Sequence, residues 1–233
     1  MQPMPRQRRM HGHDLSSGEH ETQSQAPLAA VGLATLLGIV TLSAILVALI
    51  VNPAERQRRA VAAVRSVGGV VVFENEGPVR SWLRKRFDND YFGNAVEVFL
   101  IDTRINDTDL RHLEGLTDLR KVHLNYTQVS DEGLRPIRRL TNLTVLNLES
   151  TRVTDTGLKD LTMLTSLEEL VLSNTHVSDV GLDHLKVLTG LKHLDVLNTR
   201  VSSAGAAEWG RDHPRCRLTR NMETETIATP DDR

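Results

Sequence analysis

Apolar positions recur through the second half of the chain with a period of 24 residues, in register and without gaps. In each period a first apolar residue is followed by two more that flank a single residue, which is polar in three of the five periods, as in Leu119, Val122 and Leu124. Such short alternation predicts a strand with one buried face, and the leucines spaced three apart that come next predict a helix. Five periods from residue 95 to residue 218 therefore predict an α/β solenoid, with stacked strands forming a short parallel sheet backed by helices.

Two polar columns are repeated at the same period. A threonine ends each predicted strand, where its hydroxyl can satisfy backbone groups at the turn. These residues are Thr103, Thr127, Thr151, Thr175 and Thr199. An aspartate four positions later is expected in the first turn of each helix, just after a Ser or Thr cap. These are Asp107, Asp131, Asp155 and Asp179. Both columns are expected to be structural.

The repeat resembles the leucine-rich repeat, L-x-x-L-x-L-x-x-N/C-x-L, with Thr in the Asn/Cys column. The stretch from Leu143 to Leu158 is similar to the cysteine-containing subclass of that family. With the run from Arg58 to Val70, the chain looks closer still to bacterial single-pass membrane-anchored proteins of this family, which planctomycetes carry in numbers. The resemblance implies a curved solenoid and protein binding or scaffolding, without a specific ligand.

A single apolar segment precedes the repeats. Residues 28–51 are 24 residues without a charge. As a helix they would extend roughly 36 Å, which exceeds the hydrocarbon core of about 30 Å. A secretory signal has a shorter apolar core and a cleavage site after it, so the segment predicts one transmembrane helix in front of the solenoid.

Basic residues on the carboxyl side of this segment bear on its orientation. Arg56, Arg58, Arg59 and Arg65 lie within 15 residues of its end, whereas residues 13–27 contain no Lys or Arg. The positive-inside bias therefore favours a cytoplasmic repeat domain and leaves an extracytoplasmic one open. The same four arginines are candidates for contact with anionic lipid.

The other segments are assigned from composition and pattern. Residues 1–27 and 219–233 are polar and predict disordered tails. Residues 52–66 predict a basic juxtamembrane helix, and residues 67–94 predict an amino-terminal cap, where most of the few aromatic residues lie. Residues 95–218 comprise the repeats and a carboxyl-terminal cap.

Composition excludes several function classes. The net charge of −2 gives no reason to expect nucleic-acid binding, which requires a basic surplus. The single cysteine, Cys216, excludes an internal disulfide framework and a four-cysteine zinc site. The histidines of the repeats do not form a cluster by register, and the repeated Asp and Thr residues lack the distinct environments of a catalytic pair. We therefore expect no catalytic residue, metal site or cofactor.

One exposed column is uneven in charge. The residue after each column threonine is basic or neutral and never acidic. This column, the basic stripe, consists of Arg104, Gln128, Arg152, His176 and Arg200. We interpret it either as a docking site for an acidic segment of a partner protein or as solvated charge that keeps the solenoid soluble.

These features favour a non-enzymatic, membrane-tethered interaction or scaffold module that binds an unidentified protein through the solenoid face. Two alternatives stay open. In the first, the chain is a regulatory adaptor of a membrane enzyme that acts through its transmembrane and juxtamembrane segments. In the second, it is an outward-facing adhesion or glycan-binding protein. The sequence does not specify an oligomeric state.

Overall fold

The computed structural model describes residues 26–46, 52–74 and 93–221. The chain divides into two units, Met1–Ile45 and Leu46–Arg233. In the first unit the described element is helix α1 (Ala26–Leu46). Over the described residues, no helix is both long and apolar enough to cross a membrane. The transmembrane helix predicted at 28–51 is therefore not confirmed, and residues 47–51 of it lie outside the described part.

The second unit is built on one sheet of seven strands that follow one another in chain order. The strands are β1 (Val70–Phe73), β2 (Ala95–Phe99), β3 (Lys121–His123), β4 (Val145–Asn147), β5 (Glu169–Val171), β6 (His193–Asp195) and β7 (Arg217–Thr219). Strands β2 to β7 are parallel and paired at the period of the repeat, so that Val122 lies beside Leu146. Strand β1 is antiparallel to β2. The predicted α/β solenoid is confirmed.

Helical segments return each coil to the sheet, and those of the described segments that are 3₁₀ helices are labelled η. They are α2 (Asn52–Ser66), η1 (Asp109–Gly115), α3 (Asp131–Ile137), α4 (Asp155–Leu158), η2 (Lys159–Met163), α5 (Asp179–Leu185) and α6 (Ser203–Asp212). The sequence predicted α-helices throughout. In the third coil Leu158, Leu161 and Leu164 are three residues apart, which matches the 3.0 residues per turn of a 3₁₀ helix. All three are buried.

The core runs between the sheet and the helical segments from one end of the stack to the other. The inward residues of neighbouring strands are fully buried, including Val122, Leu146 and Leu170. At the carboxyl end Trp209 of α6 is 1% exposed and stacks on His213 with ring centroids 3.8 Å apart. Trp209 therefore covers the last coil and is not available as a surface anchor.

Helix α2 covers the amino-terminal end of the stack. Its side chains Ala60, Val61 and Val64 are buried in the core of the solenoid. It packs on η1 so closely that a Cβ on Gly115 would lie 2.9 Å from the carbonyl oxygen of Arg56. The sequence placed the start of the amino-terminal cap at residue 67, but the cover begins in α2. An amphipathic helix has the same pattern whether its apolar side faces lipid or protein, which explains the difference.

Several other expectations fall on residues outside the described part. Residues 75–92, with Trp82, Phe87, Tyr91 and Phe92 of the predicted cap, are among them. So are residues 1–25 and 222–233 of the predicted tails. Helix α1 begins at Ala26, and Thr219 is the last residue of β7.

Candidate functional site

The five residues of the basic stripe lie at the corner where each strand ends and the chain turns toward its helical segment. All five side chains are exposed. Backbone hydrogen bonds hold the row together, since the Arg152 N–H donates to the carbonyl of Val129 at 2.8 Å and the Arg200 N–H donates to that of Val177 at 2.8 Å. The stripe is therefore a continuous row on successive coils, as the repeat predicted.

The arginines of the stripe carry charge that is not neutralised locally. Within the described residues, Arg104, Arg152 and Arg200 form no ion pair, and Arg152 Nη2 donates a long hydrogen bond of 3.4 Å to Gln128 Oε1. An unpaired guanidinium presents five donors in a planar fork that matches a carboxylate.

The neighbouring strand face is different because its charges pair with one another. Glu97 Oε1 lies 3.1 Å from His123 Nε2 and 3.9 Å from Lys121 Nζ. The ring of Phe99 stacks on that of His123 with centroids 4.6 Å apart. The charges on this part of the face pair with one another, whereas those of the stripe arginines do not.

The threonine column fixes the turn beneath the stripe. Each hydroxyl donates to the backbone carbonyl three residues earlier, as from Thr151 to Leu148 at 2.7 Å. The other bonds, at 2.6–2.7 Å, run from Thr103, Thr127, Thr175 and Thr199 to Leu100, Leu124, Leu172 and Val196. The backbone of each stripe residue therefore starts from a turn that its preceding threonine holds in place.

The aspartate column has a role that the sequence did not reveal. Asp131, Asp155 and Asp179 lie in the first turn of their own helices, but their carboxylates bind the next coil. For Asp155, Oδ1 accepts from the Ser178 N–H at 2.7 Å and Oδ2 accepts from the Ser178 hydroxyl at 2.6 Å. The same pair of bonds joins Asp107 to Ser130, Asp131 to Thr154 and Asp179 to Ser202. This aspartate ladder couples every coil to its successor.

A glycine in each following helix makes room for the ladder. A Cβ added at Gly133 would lie 2.5 Å from Asp107 Oδ1, and one at Gly181 would collide with Asp155 Oδ1. Gly157 and Gly205 face Asp131 and Asp179 in the same way. The aspartate of one coil can therefore bind the next coil only because a glycine there leaves space for its carboxylate.

The residue before each column threonine adopts a left-handed backbone conformation. These residues are Asp102, Tyr126, Ser150, Asn174 and Asn198, with φ between 52° and 61°. Asn and Asp tolerate this region better than other residues, because their short polar side chains bond locally. Asn198 Nδ2 donates to Asn174 Oδ1 at 3.0 Å, so the flank of the stripe is polar and fixed.

Tyr126, in the same column, contacts an acidic side chain. Its hydroxyl donates to Glu149 Oε1 at 2.8 Å. This hydrogen bond and the negative charge of Glu149 raise the pKa of Tyr126 above its ordinary value, because the phenolate would face an anion. The phenol is therefore a donor and not a nucleophile at neutral pH.

The four arginines of α2 that were predicted to face lipid, Arg56, Arg58, Arg59 and Arg65, are exposed. Arg59 pairs with Glu55 at 3.5 Å. Arg56 and Arg59 line a groove of about 320 Å³ together with Arg111, His112 and Arg139 of the first two coils. The sequence did not single out Arg111 of η1 and Arg139 of the turn after α3, because they lie at least 45 residues from α2 and only the packing of α2 on η1 brings them together.

Within the described residues no group of three metal-ligating side chains comes together. Burial raises the pKa of the Cys216 thiol, which disfavours the thiolate that would act as a nucleophile. The surfaces described above present donors, acceptors and charge for recognition.

A family model described as Leucine Rich repeat matches residues 115–137, 139–161 and 164–186. Each match spans one strand of the sheet and the helical segment that follows it. These coils are leucine-rich repeats. The α/β solenoid fold of the second unit agrees with this match, and the protein-interaction role typical of such repeats is the coarse function that it supports. The search of curated proteins found no match to the chain.

Several solved leucine-rich repeat structures are similar to parts of this chain. The ectodomain of the receptor kinase SOBIR1 from Arabidopsis thaliana is 17% identical with a TM-score of 0.48, over 71% of this chain and 91% of that one. The internalin InlF from Listeria monocytogenes is 18% identical with a TM-score of 0.40, over 61% and 49%. A leucine-rich repeat protein from Leptospira interrogans is 21% identical with a TM-score of 0.39, over 46% and 27%. The chain thus spans about half of the internalin and about a quarter of the Leptospira protein.

Proposed function

We propose that this chain is a non-enzymatic interaction module that binds an acidic segment of a partner protein along the basic stripe. The observation that carries the proposal is the stripe itself: exposed arginines on coils of fixed spacing, without an ion-pair partner among the described residues. Charged groups that pair within the protein, such as Glu97 with His123, have less to offer a partner. Arg104 and Arg200 can offer their guanidinium donors to carboxylates, and Arg152 uses one of its donors in a long bond of 3.4 Å to Gln128.

Long-range electrostatic attraction would first bring the acidic segment to the stripe, and the geometry of the hydrogen bonds would then fix its position. A row of cations raises the association rate of an acidic segment, and the contribution falls as salt screens it. Bidentate bonds between guanidinium and carboxylate then fix the register of the bound segment. Because the turn below each arginine is held by a threonine and the aspartate ladder holds the coils together, the row does not have to be ordered on binding.

Removing the charge of the stripe tests this function. We expect the triple variant Arg104→Ala, Arg152→Ala and Arg200→Ala to recover its main partner at least about 10-fold less efficiently, since each lost charged hydrogen bond costs about 1 kcal/mol or more. The measurement is proximity labelling by the full chain in its native cell, with the recovered partner quantified against the wild type.

A matched control removes the same charge elsewhere. Lys159→Ala, Arg211→Ala and Arg215→Ala alter three exposed cations outside the stripe. This control is expected to recover the partner as the wild type does. Equal recovery by the stripe variant and the wild type would sink the proposed function, and would favour the adaptor alternative, in which segments outside the repeats recognise the partner.

We further propose that residues 28–51 tether the solenoid to a membrane, with the repeats on the cytoplasmic side. The support is the sequence, which is uncharged over these 24 residues, and the arginines that follow it. We also propose that the chain is a bacterial membrane-anchored protein like those of planctomycetes, with repeats of the cysteine-containing subclass. The exposed arginines of α2, joined by Arg111 and Arg139 in one groove, would add contact with anionic headgroups.

Deleting residues 28–51 is expected to move the protein from the membrane fraction to the supernatant at high salt, where the arginine contacts with lipid are screened. Replacing the segment with an unrelated apolar segment of equal length should restore sedimentation. Protease added to intact cells is expected to leave residues 52–233 uncut. A deletion variant that stays in the membrane fraction would refute the tether, and cleavage of the repeats from outside would favour the adhesion or glycan-binding alternative.

A further inference from the structure

The stripe alternates in chemistry from coil to coil. Arg104, Arg152 and Arg200 stand on the first, third and fifth coils, while Gln128 and His176 stand between them. The three arginines are exposed and form no ion pair among the described residues. The recognition elements are therefore three cations separated by two coils each, with neutral hydrogen-bonding groups in the gaps.

The backbone fixes the distance between these cations. Isolated β-bridges join Thr154 to His176 and Ser178 to Arg200, which makes a short second ladder beside the sheet. Strands in such a ladder lie about 4.8 Å apart, so residues two coils apart are separated by about 9.6 Å. Arginines at this spacing can engage carboxylates of a bound segment only where the segment repeats at a similar distance.

Three regular conformations give different repeats. A polyproline-II helix has three residues per turn and a rise of about 3.1 Å, so every third residue returns to the same face after about 9.3 Å. Same-face residues of a strand are about 6.7 Å apart. An α-helix returns to the same side after seven residues, or about 10.5 Å, and falls out of step by about 1 Å at each arginine.

The surroundings of the stripe also suit an extended segment. A polyproline-II backbone makes no internal hydrogen bonds, so its carbonyls are free to accept from the Gln128 amide and the His176 ring. The flank is polar, with Asn198 bonded to Asn174 at 3.0 Å. An amphipathic helix would need an apolar groove for its buried side.

We propose that the stripe binds an extended polyproline-II segment with an acidic side chain at every third residue. Each carboxylate takes one of the three arginines as a bidentate partner. The two residues between successive acids pass over Gln128 and His176. This inference rests on the proposed function, because it names the kind of acidic segment that the stripe recognises.

Two peptides of equal composition test the spacing on the purified full chain in detergent. One has nine residues with Glu at the first, fourth and seventh positions and Pro elsewhere, and the other has its three Glu contiguous. We expect the spaced peptide to bind at least about 10-fold more tightly in fluorescence anisotropy titrations, since the contiguous acids reach one arginine well. The advantage should shrink as salt is raised.

A charge-conserving variant sharpens the test. Gln128→Arg combined with Arg152→Gln keeps three arginines but moves the middle one by a single coil, about 4.8 Å. This variant is expected to lose the preference for the spaced peptide, while the control Arg211→Ala keeps it. Circular dichroism melts check that each variant is folded.

The outcomes separate the inference from the proposed function. If both peptides bind equally and both lose affinity in the triple stripe variant, the spacing rule is overturned and the acidic docking site stands. If neither peptide binds while partner recovery depends on the stripe, the polyproline-II segment is overturned as the ligand. If the spaced peptide binds the triple variant as tightly as the wild type, both proposals fail.

Discussion

Replacing Leu146 with aspartate is expected to unfold the central coils of the solenoid. Leu146 is fully buried in β4, between Val122 and Leu170 of the neighbouring strands. Losing its apolar contacts costs about 2–5 kcal/mol, and a carboxylate without a partner in that position costs several more. The sum is comparable with the total stability of about 5–15 kcal/mol that folded domains have.

Urea and thermal unfolding followed by circular dichroism measure this effect. The matched control is Asn147→Asp, one residue further along the same strand, where the side chain is half-buried on the opposite face. Asn147 Oδ1 accepts from the Glu149 N–H at 2.9 Å, and a carboxylate oxygen can take its place. The control should stay within about 1 kcal/mol of the wild type, as surface changes usually do. Equal effects of both changes would mean that the inward and outward columns are wrongly assigned.

The second large effect is expected for Asp179→Ala and Gly205→Ala, whose losses of stability are expected to cancel in part when the two substitutions are combined. Asp179→Ala removes two charged hydrogen bonds, to the Ser202 N–H at 2.8 Å and the Ser202 hydroxyl at 2.6 Å, and should cost about 2–4 kcal/mol. This exceeds the loss of about 0.5–2 kcal/mol expected for a helix-capping role alone. Gly205→Ala should cost a similar amount, because its Cβ would collide with the Asp179 carboxylate and push it off Ser202.

In the Asp179→Ala background the same change at Gly205 is expected to be neutral or stabilising. The atoms nearest to the added Cβ all belong to the Asp179 side chain, so the collision disappears with it. Alanine is then favoured over glycine in α6 by about 1 kcal/mol. A double-mutant cycle in urea measures the coupling. Strictly additive losses would show that Gly205 and Asp179 do not act together.

Features that depend on neighbours in the chain were predictable from the sequence. The apolar columns specify the strands and the core, and Thr127 bonds to a carbonyl three residues earlier, so its role follows from local geometry. The stripe follows in the same way, because equal positions on successive coils must form a row. Arg104, Arg152 and Arg200 are exposed at equal positions of their coils for this reason.

Features that depend on contacts between distant segments were not predictable. Asp179 looks like an ordinary first-turn acid, and its bonds to Ser202 depend on how the next coil is placed. The groove joining Arg56 to Arg111 depends on where α2 packs. The sequence of an amphipathic helix does not show whether its apolar side packs against protein or against lipid. In both cases the missing information was the position of a second segment.

The bonds between coils also determine how this architecture can change length. The backbone bonds between coils join residues 23 to 25 positions apart, as Leu124 to Asn147, Thr144 to Arg120 and Val145 to Arg120, so none of them specifies how many coils the stack contains. Duplication or loss of one whole coil would keep every such bond while shifting all later arginines out of alternation. Gain or loss of two coils would preserve both the bonds between coils and the alternation of arginines. The packing of this solenoid therefore repeats with every coil, whereas the arginines on its rim repeat with every second coil.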